Sequence, residues 1–362
     1  MHLPSSPGDA PFGSRSQMQP VYEGSIRVGP LIGVPPLLLE FGLDPLAVLT
    51  AVGLEVTLLA DPENMISYSA MGRLLKVCAE QTRCPHFGLL VGQRAGLDCL
   101  GLIGRLPRYV LDVGTALRGM ILHLHLHDRG AVPALSVERS AAVLSYVVYQ
   151  PGVAGTFQIY DAAIAIIYNI MRTLCGPGWL PKEVLFAHRQ PQDPAPYRSF
   201  FQAPLRFDQE QTALVFAPHW LHATLRGADP LQRQQFGEQI KQLVQQGQRD
   251  VVGKLRCALA ALTMTRSATL EQAAELFSMH PRTLNRRLAE KGCTFRGLAE
   301  EVRYDLARQF LENTGMPISQ IAAVLGYAET SAFTRAFRRW SGFSPTVWQE
   351  QMKTMSPLPT KI

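Results

Sequence analysis

From Asp250 onward the apolar positions recur every three or four residues, which is the helical period. Val251 to Leu262 predicts one helix. Thr269 caps a short second from Leu270 to Phe277, and Pro281 opens a third that runs to Glu290, proline being favoured at the first helical position. Phe295, Leu298, Val302, Leu306 and Phe310 then trace the apolar stripe of one long amphipathic helix ending near Asn313. Ile318 to Leu325 predicts a short helix, Gly326-Tyr327 a turn, and Thr330 to Trp340 a last helix that Gly342 and Pro345 bring to a stop. The whole stretch is predicted to be all-α.

Upstream the period is mixed. Val28 to Gly53 is short apolar helix material divided by Pro30, Pro35, Pro36 and Pro45. Ser67 caps a helix whose buried face is Met71, Leu74, Leu75 and Cys78, with Pro85 beyond its end, and Val113 to Leu126 is again helical. Ala141 to Gln150 is β-branched and aromatic and stops at Pro151-Gly152, the mark of a strand. An apolar helix from Gln158 to Leu174 closes at Cys175-Gly176-Pro177-Gly178, and strands are predicted at Glu183 to Ala187, Leu205 to Phe207 and Ala213 to Phe216. This is an α+β pattern. The Gln-rich piece from Asp229 to Gln248 is thinly apolar at helical spacing and reads as a connector helix.

Composition narrows the class. The 362 residues are 47% hydrophobic and 18% charged, enough for two or three domains with real cores. No run of about 18 apolar residues suggests a membrane span. The first twenty residues hold ten Pro, Gly or Ser and no apolar signal core, so a disordered leader and a cytoplasmic protein are expected. Cys78, Cys84, Cys99, Cys175, Cys257 and Cys293 contain no C-x-x-C pair and read as free thiols. Charge is uneven: residues 1–248 carry 19 Lys+Arg against 19 Asp+Glu, whereas residues 249–353 carry 15 against 10. A neutral body with a basic helical module is the outline of a protein that touches phosphate.

Within that module an internal repeat carries the chemistry. LEQAAELFSMHPRTLNRRL (Leu270 to Leu288) aligns with ISQIAAVLGYAETSAFTRAF (Ile318 to Phe337), each with a small Ala (Ala274, Ala322), a tight turn and a second helix with an inward apolar side (Leu284, Leu288; Phe333, Phe337). That is a helix-turn-helix, twice. The outward side of the second helix bears Arg282, Asn285, Arg286 and Arg287 in one copy and Thr330, Ser331, Arg335, Arg338 and Arg339 in the other. Arg and Asn are the residues that pair bidentately with guanine and adenine edges in the major groove. A single copy could be a helical hairpin with a solvated basic face, but two copies in the same phase argue against it. At ~1.5 Å per residue the 19-residue helix from Phe295 to Asn313 would hold the two units about 28 Å apart.

These residues resemble the AraC/XylS family of transcription regulators over about Val251 to Met352. The carriers are Arg282 to Leu288 (RTLNRRL), Arg303 to Leu311 (RYDLARQFL), Ile318 to Tyr327 (ISQIAAVLGY) and Phe333 to Pro345 (FTRAFRRWSGFSP). The resemblance implies that Arg282, Asn285, Arg286, Thr330, Ser331 and Arg335 face bases and that Arg287, Arg338 and Arg339 contact phosphate. His280 stands where the family usually places a capping Ser, and Ser278 where its turn is often Gly. Residues 28–230 are more diffusely similar to the arabinose-binding-type effector domain of one branch, through Pro85 to Gly92, Leu100 to Gly104, Pro181 to His188 and Tyr197 to Phe207.

The expected architecture is therefore an α+β N-terminal effector domain joined to an all-α DNA-binding domain with two helix-turn-helix units. Its parts are a leader (1–24), a sensing and dimerisation domain (25–230), a connector helix (231–249), the DNA-binding domain (250–352, units at about 270–290 and 318–341) and a flexible tail (353–362). The expected function is promoter binding, with activation through RNA polymerase in response to a small-molecule effector, and possible homodimerisation. The alternative is a first domain that only dimerises or meets a protein partner. An enzyme fused to a DNA-binding module is a remote third, since no nucleophile, base and acid arrangement is readable. No cofactor is expected. His123, His125 and His127 would share one face if they lay on a strand, but no Cys or carboxylate cluster accompanies them, and a helix end without metal is the preferred reading. Of Tyr146, Tyr149, Tyr160 and Tyr168, Tyr160 is retained as an effector-binding candidate.

Overall fold

The computed structural model describes residues 24–225 except 149 and 151, residue 238, and residues 251–355 except 265–267, 278 and 315. The expected leader up to residue 23, the connector helix but for residue 238, Ser278 and residues 356–362 lie outside the described residues.

The N-terminal part begins with strand β1 (Ser25–Arg27), helices α1 (Val34–Glu40) and α2 (Pro45–Ala51), and strand β2 (Met65–Ser67). β1 and β2 pair antiparallel, Ile26 against Ile66. Prolines start both short helices: Pro35 and Pro36 stand in the first turn of α1, and Pro45 opens α2 behind Asp44, whose carboxylate accepts from Leu46 N at 3.0 Å. Ser67 caps α3 (Tyr68–Gln81) as expected, its hydroxyl accepting from Ala70 N at 3.2 Å. Helices α4 (Phe87–Gln93) and α5 (Val113–His123) follow; α5 ends at His123 rather than Leu126, the next three residues tightening into a 3₁₀ turn.

Strands β3 (Ala131–Val137) and β4 (Ala142–Val148) form a hairpin that leads into α6 (Thr156–Cys175). Strand β5 (Glu183–Leu185), helix α7 (Ala195–Phe201), strand β6 (Leu205–Arg206) and strand β7 (Thr212–Phe216) complete a five-stranded sheet of order β3-β4-β7-β5-β6. Among the described residues of this sheet only β5 and β6 pair parallel. Sequence reasoning had placed β4 and β7 to within a few residues, extended β5 by two, and assigned neither β3 nor the β1–β2 pair.

Helix α6 fills one face of the sheet. Ile164, Tyr168 and Met171 pack with Leu144, Val184, Leu214 and Phe216. Its other flank meets α4 at backbone distance, since a Cβ at Gly88 would lie 2.1 Å from the Gln158 carbonyl oxygen and one at Gly92 2.3 Å from that of Ala162. Only glycine fits there. The opposite face of the sheet presents Val132 and Val147, which join the core of the C-terminal helices around Leu255 and Leu259.

Those helices are α8 (Val251–Met264), α9 (Leu270–Leu276), α10 (Pro281–Ala289), α11 (Phe295–Asn313), α12 (Ile318–Val324), α13 (Thr330–Ser341) and α14 (Pro345–Met355). The stripe predicted for α11 is the buried one, with Leu298, Val302, Leu306 and Phe310 at 4% exposure or less. α14 corrects the reading of Pro345 as a stop and of residues 353–355 as tail. Gly342 does end α13, in the left-handed region at φ 82°, but Pro345 then occupies the first turn of a new helix behind Ser344, whose hydroxyl accepts from Val347 N. Among the described residues no helix is long and apolar enough to cross a membrane.

Candidate nucleic-acid interface

Both repeats fold as helix, turn and second helix. Thr269 caps α9, its hydroxyl accepting from Gln272 N at 3.2 Å, and the buried Ala274 and Ala322 let the two helices of each unit approach. His280 keeps the capping role that serine usually fills, because its Nδ1 accepts from Arg282 N at 3.2 Å. In α10, Leu284 and Leu288 are fully buried while Arg282, Asn285, Arg286 and Arg287 are exposed. In α13, Phe333 and Phe337 are fully buried while Thr330, Ser331, Arg335, Arg338 and Arg339 are exposed. All nine residues selected by the repeat thus stand on solvent-facing sides, in the phase that the buried residues dictate.

Their electrostatics differ. Arg286 Nε lies 3.8 Å from Glu290 Oε1 one turn on, an exposed pair worth little in water. Arg339 is tied more firmly, its Nη2 3.1 Å from Glu300 Oε2 on α11, and Glu300 also receives Arg296 at 3.3 Å. Burial opposes the charge on Glu300, but the two guanidiniums outweigh it and hold its carboxyl below the usual range. Arg339 therefore braces α13 against α11. Ser331 donates to Glu329 Oε2 at 3.0 Å.

Sequence reasoning missed the support beneath α13. From the unassigned α14, Trp348 sets its ring edge-on to Phe337 at 5.8 Å, and Arg308 of α11 lies 5.2 Å over the Trp348 ring. The aromatic spacing of Phe343 and Trp348 was the available signal, obscured by the reading of Pro345.

In the N-terminal part, the Tyr160 hydroxyl accepts from Val148 N at 3.2 Å and its ring meets Tyr146 edge-on. Tyr168 is buried among Trp179, Phe200 and Phe201, and Tyr149 lies outside the described residues. The three histidines do not share a strand: His123 ends α5, His125 sits in the 3₁₀ turn, and His127 follows it. A polar cluster that sequence reasoning did not single out lies next to them. Asp128, 2% exposed, accepts from Gly130 N and Ala131 N with one oxygen and from the Tyr68 and Tyr146 hydroxyls, both at 2.6 Å, with the other.

Comparison with known proteins agrees with this division. A family profile described as the arabinose-binding domain of AraC transcription regulator, N-terminal, matches residues 42–225, and one described as a helix-turn-helix domain matches residues 273–351. The chain is 28% identical over 322 residues to the HTH-type transcriptional regulator VirS of Mycobacterium tuberculosis, covering 88% of this chain and 95% of that protein. It is 27% identical over 319 residues to the ornithine utilization regulator of Pseudomonas aeruginosa, covering 87% and 93%. The crystal structure of the transcriptional regulator CdpR from Pseudomonas aeruginosa matches 76% of this chain and 91% of its own, at 22% identity and a TM-score of 0.39.

Proposed function

The chain belongs to the AraC family of transcription regulators, which are not enzymes, and from that premise we propose that it is a cytoplasmic, effector-responsive activator that reads promoter DNA with both helix-turn-helix units. The observation that carries the reading is the common phase of α10 and α13. Each buries an apolar side and turns Arg, Asn, Thr or Ser outward, the chemistry that reads base edges. Arg282, Asn285, Arg286, Thr330, Ser331 and Arg335 are assigned to bases, and Arg287, Arg338 and Arg339 to phosphates, Arg339 exchanging its bond to Glu300 for one to DNA. The two units run in the same order within one chain, so a single protomer would read two unlike boxes about 10 base pairs apart.

The N-terminal domain is assigned the sensing role, with RNA polymerase and a second protomer as further partners. Its sheet packs directly on the DNA-binding core through Val132 and Val147, so a change within the domain has a short path to the helices that meet DNA. Selection of bound fragments from sheared genomic DNA tests the reading. Two boxes of unlike sequence at one-turn spacing are expected, and a palindromic site or no enrichment would contradict it.

A further inference from the structure

Between α3, α5, α6 and the β3–β4 hairpin lies a cavity of about 100 Å³. Protein interiors are close-packed, so a void of this kind is an exception that calls for an occupant. Its walls are hydrocarbon, including Leu75, Leu117, Leu144 and Ile166, and its polar groups come from His127, Asp128 and Tyr146. Among the described residues no lysine or arginine lines it.

The polar groups are unequally used. Both Asp128 oxygens are taken by four donors, one of them the Tyr146 hydroxyl. His127 is different: it is 2% exposed and its Nδ1 has no hydrogen-bond partner among the described residues. Burial, with Arg27's charge adding to it, pushes the imidazole down to about 3, so the ring is neutral. A buried, unpartnered nitrogen is costly and is kept where something else satisfies it.

We infer that this cavity is the effector site and that the effector is a small neutral molecule, mostly aromatic or aliphatic hydrocarbon, whose single alcohol or phenol hydroxyl bonds His127 Nδ1. A hydroxyl both donates and accepts, so it suits either tautomer of the ring. An anion would meet the Asp128 carboxyl and hydrocarbon without any lining cation. Hydrocarbon-lined cavities of this order admit benzene-sized guests. The site also explains how binding reaches DNA. Pro133 and Tyr146 pair across the hairpin and line the cavity, while their neighbours Val132 and Val147 pair on the opposite face and pack into the DNA-binding core. This inference rests on the sensing role proposed above.

Thermal shift of the full chain tests it with three matched probes: 4-ethylphenol, ethylbenzene and 4-ethylbenzoate. The phenol is expected to raise the melting point most and the anion not at all. His127→Phe should lower affinity for 4-ethylphenol about tenfold while leaving that for ethylbenzene unchanged. Ala163→Phe and, independently, Leu117→Phe fill the cavity and should abolish the shift, with an unchanged circular dichroism spectrum and a cooperative melt as the check that each variant folds. No shift with 4-ethylphenol, or an equal shift in both filled variants, would overturn the site. A shift that vanishes in the filled variants yet leaves the affinity for promoter DNA unchanged would overturn the sensing role instead.

Discussion

Gln309, on the long helix between the two helix-turn-helix units, donates its side-chain amide to the backbone carbonyl of Gln150 just beyond β4. The bond joins residues 159 apart in sequence and ties the DNA-binding domain to the N-terminal domain where β4 ends. Nearby, Gln320 donates to Glu210 across the same junction. Gln309 is 3% exposed, so its replacement leaves a buried carbonyl short of a donor. Gln309→Ala should destabilise the full chain by about 1–3 kcal/mol, read as a lower melting midpoint. An unchanged midpoint would mean that the two domains do not dock this way in solution.

The proposed split between base reading and backbone contact is tested at Arg335 and Arg338. Arg335→Ala should cost on the order of 1–3 kcal/mol in specific binding and relax the preference at one base position. Arg338→Ala should weaken all sequences alike and reduce the salt dependence by about one contact. Binding of randomised operators at several salt concentrations distinguishes the two; an intact specificity profile in Arg335→Ala would remove that residue from the base-reading set.

The helix-turn-helix module was legible in sequence because its information is local. The 3–4 spacing, the repeated alanine and the capping Thr269 each act within one or two turns. Leu284, Leu288, Phe333 and Phe337 were identified from phase alone, and all are fully buried. The Asp128 cluster was not legible. It needs Tyr68 from α3 and Tyr146 from β4, brought together only by tertiary packing, and the three-residue strands β1 and β2 are too short to show alternation. Helix α14 was lost for a different reason: a proline can follow the end of one helix or begin another, and here Gly342 ends α13 while the cap at Ser344 makes Pro345 the start of the next.

Phe337 ties that missed helix to α13. It is fully buried against Phe333, Tyr304 and Trp348. Phe337→Ala should cost about 3–5 kcal/mol and disable the second unit. Circular dichroism melts together with DNA binding check this; a stable variant that binds normally would refute the packing.

His188 should give the N-terminal domain a pH-dependent stability. Its Nε2 lies 2.9 Å from Asp161 Oδ1, and the Tyr197 hydroxyl donates to the other oxygen at 2.5 Å. Burial disfavours the imidazolium, but the charge and hydrogen bond of Asp161 outweigh it, raising His188 above its ordinary 6.5. A raised folded value means that the stabilisation is complete below the unfolded pKa and is lost as pH rises through the folded one. Stability should therefore fall with rising pH from neutrality upward. In Asp161→Asn the same pH window should be flatter, and urea titrations of both proteins at a series of pH values provide the comparison; parallel profiles would exclude the pair as the source.

In the proposed reading one protomer engages DNA with both units, held apart by α11. Its 19 residues span about 28 Å at ~1.5 Å each, close to one duplex turn of ~34 Å, so α10 and α13 can enter successive major grooves on one face. Footprinting on operators with altered box spacing measures this directly. Inserting about 5 base pairs turns one box to the far side and should abolish most specific affinity, while about 10 restores the face but overreaches the span of α11. Affinity unchanged by the half-turn insertion would contradict the account, leaving one unit to read bases and the other to hold the backbone.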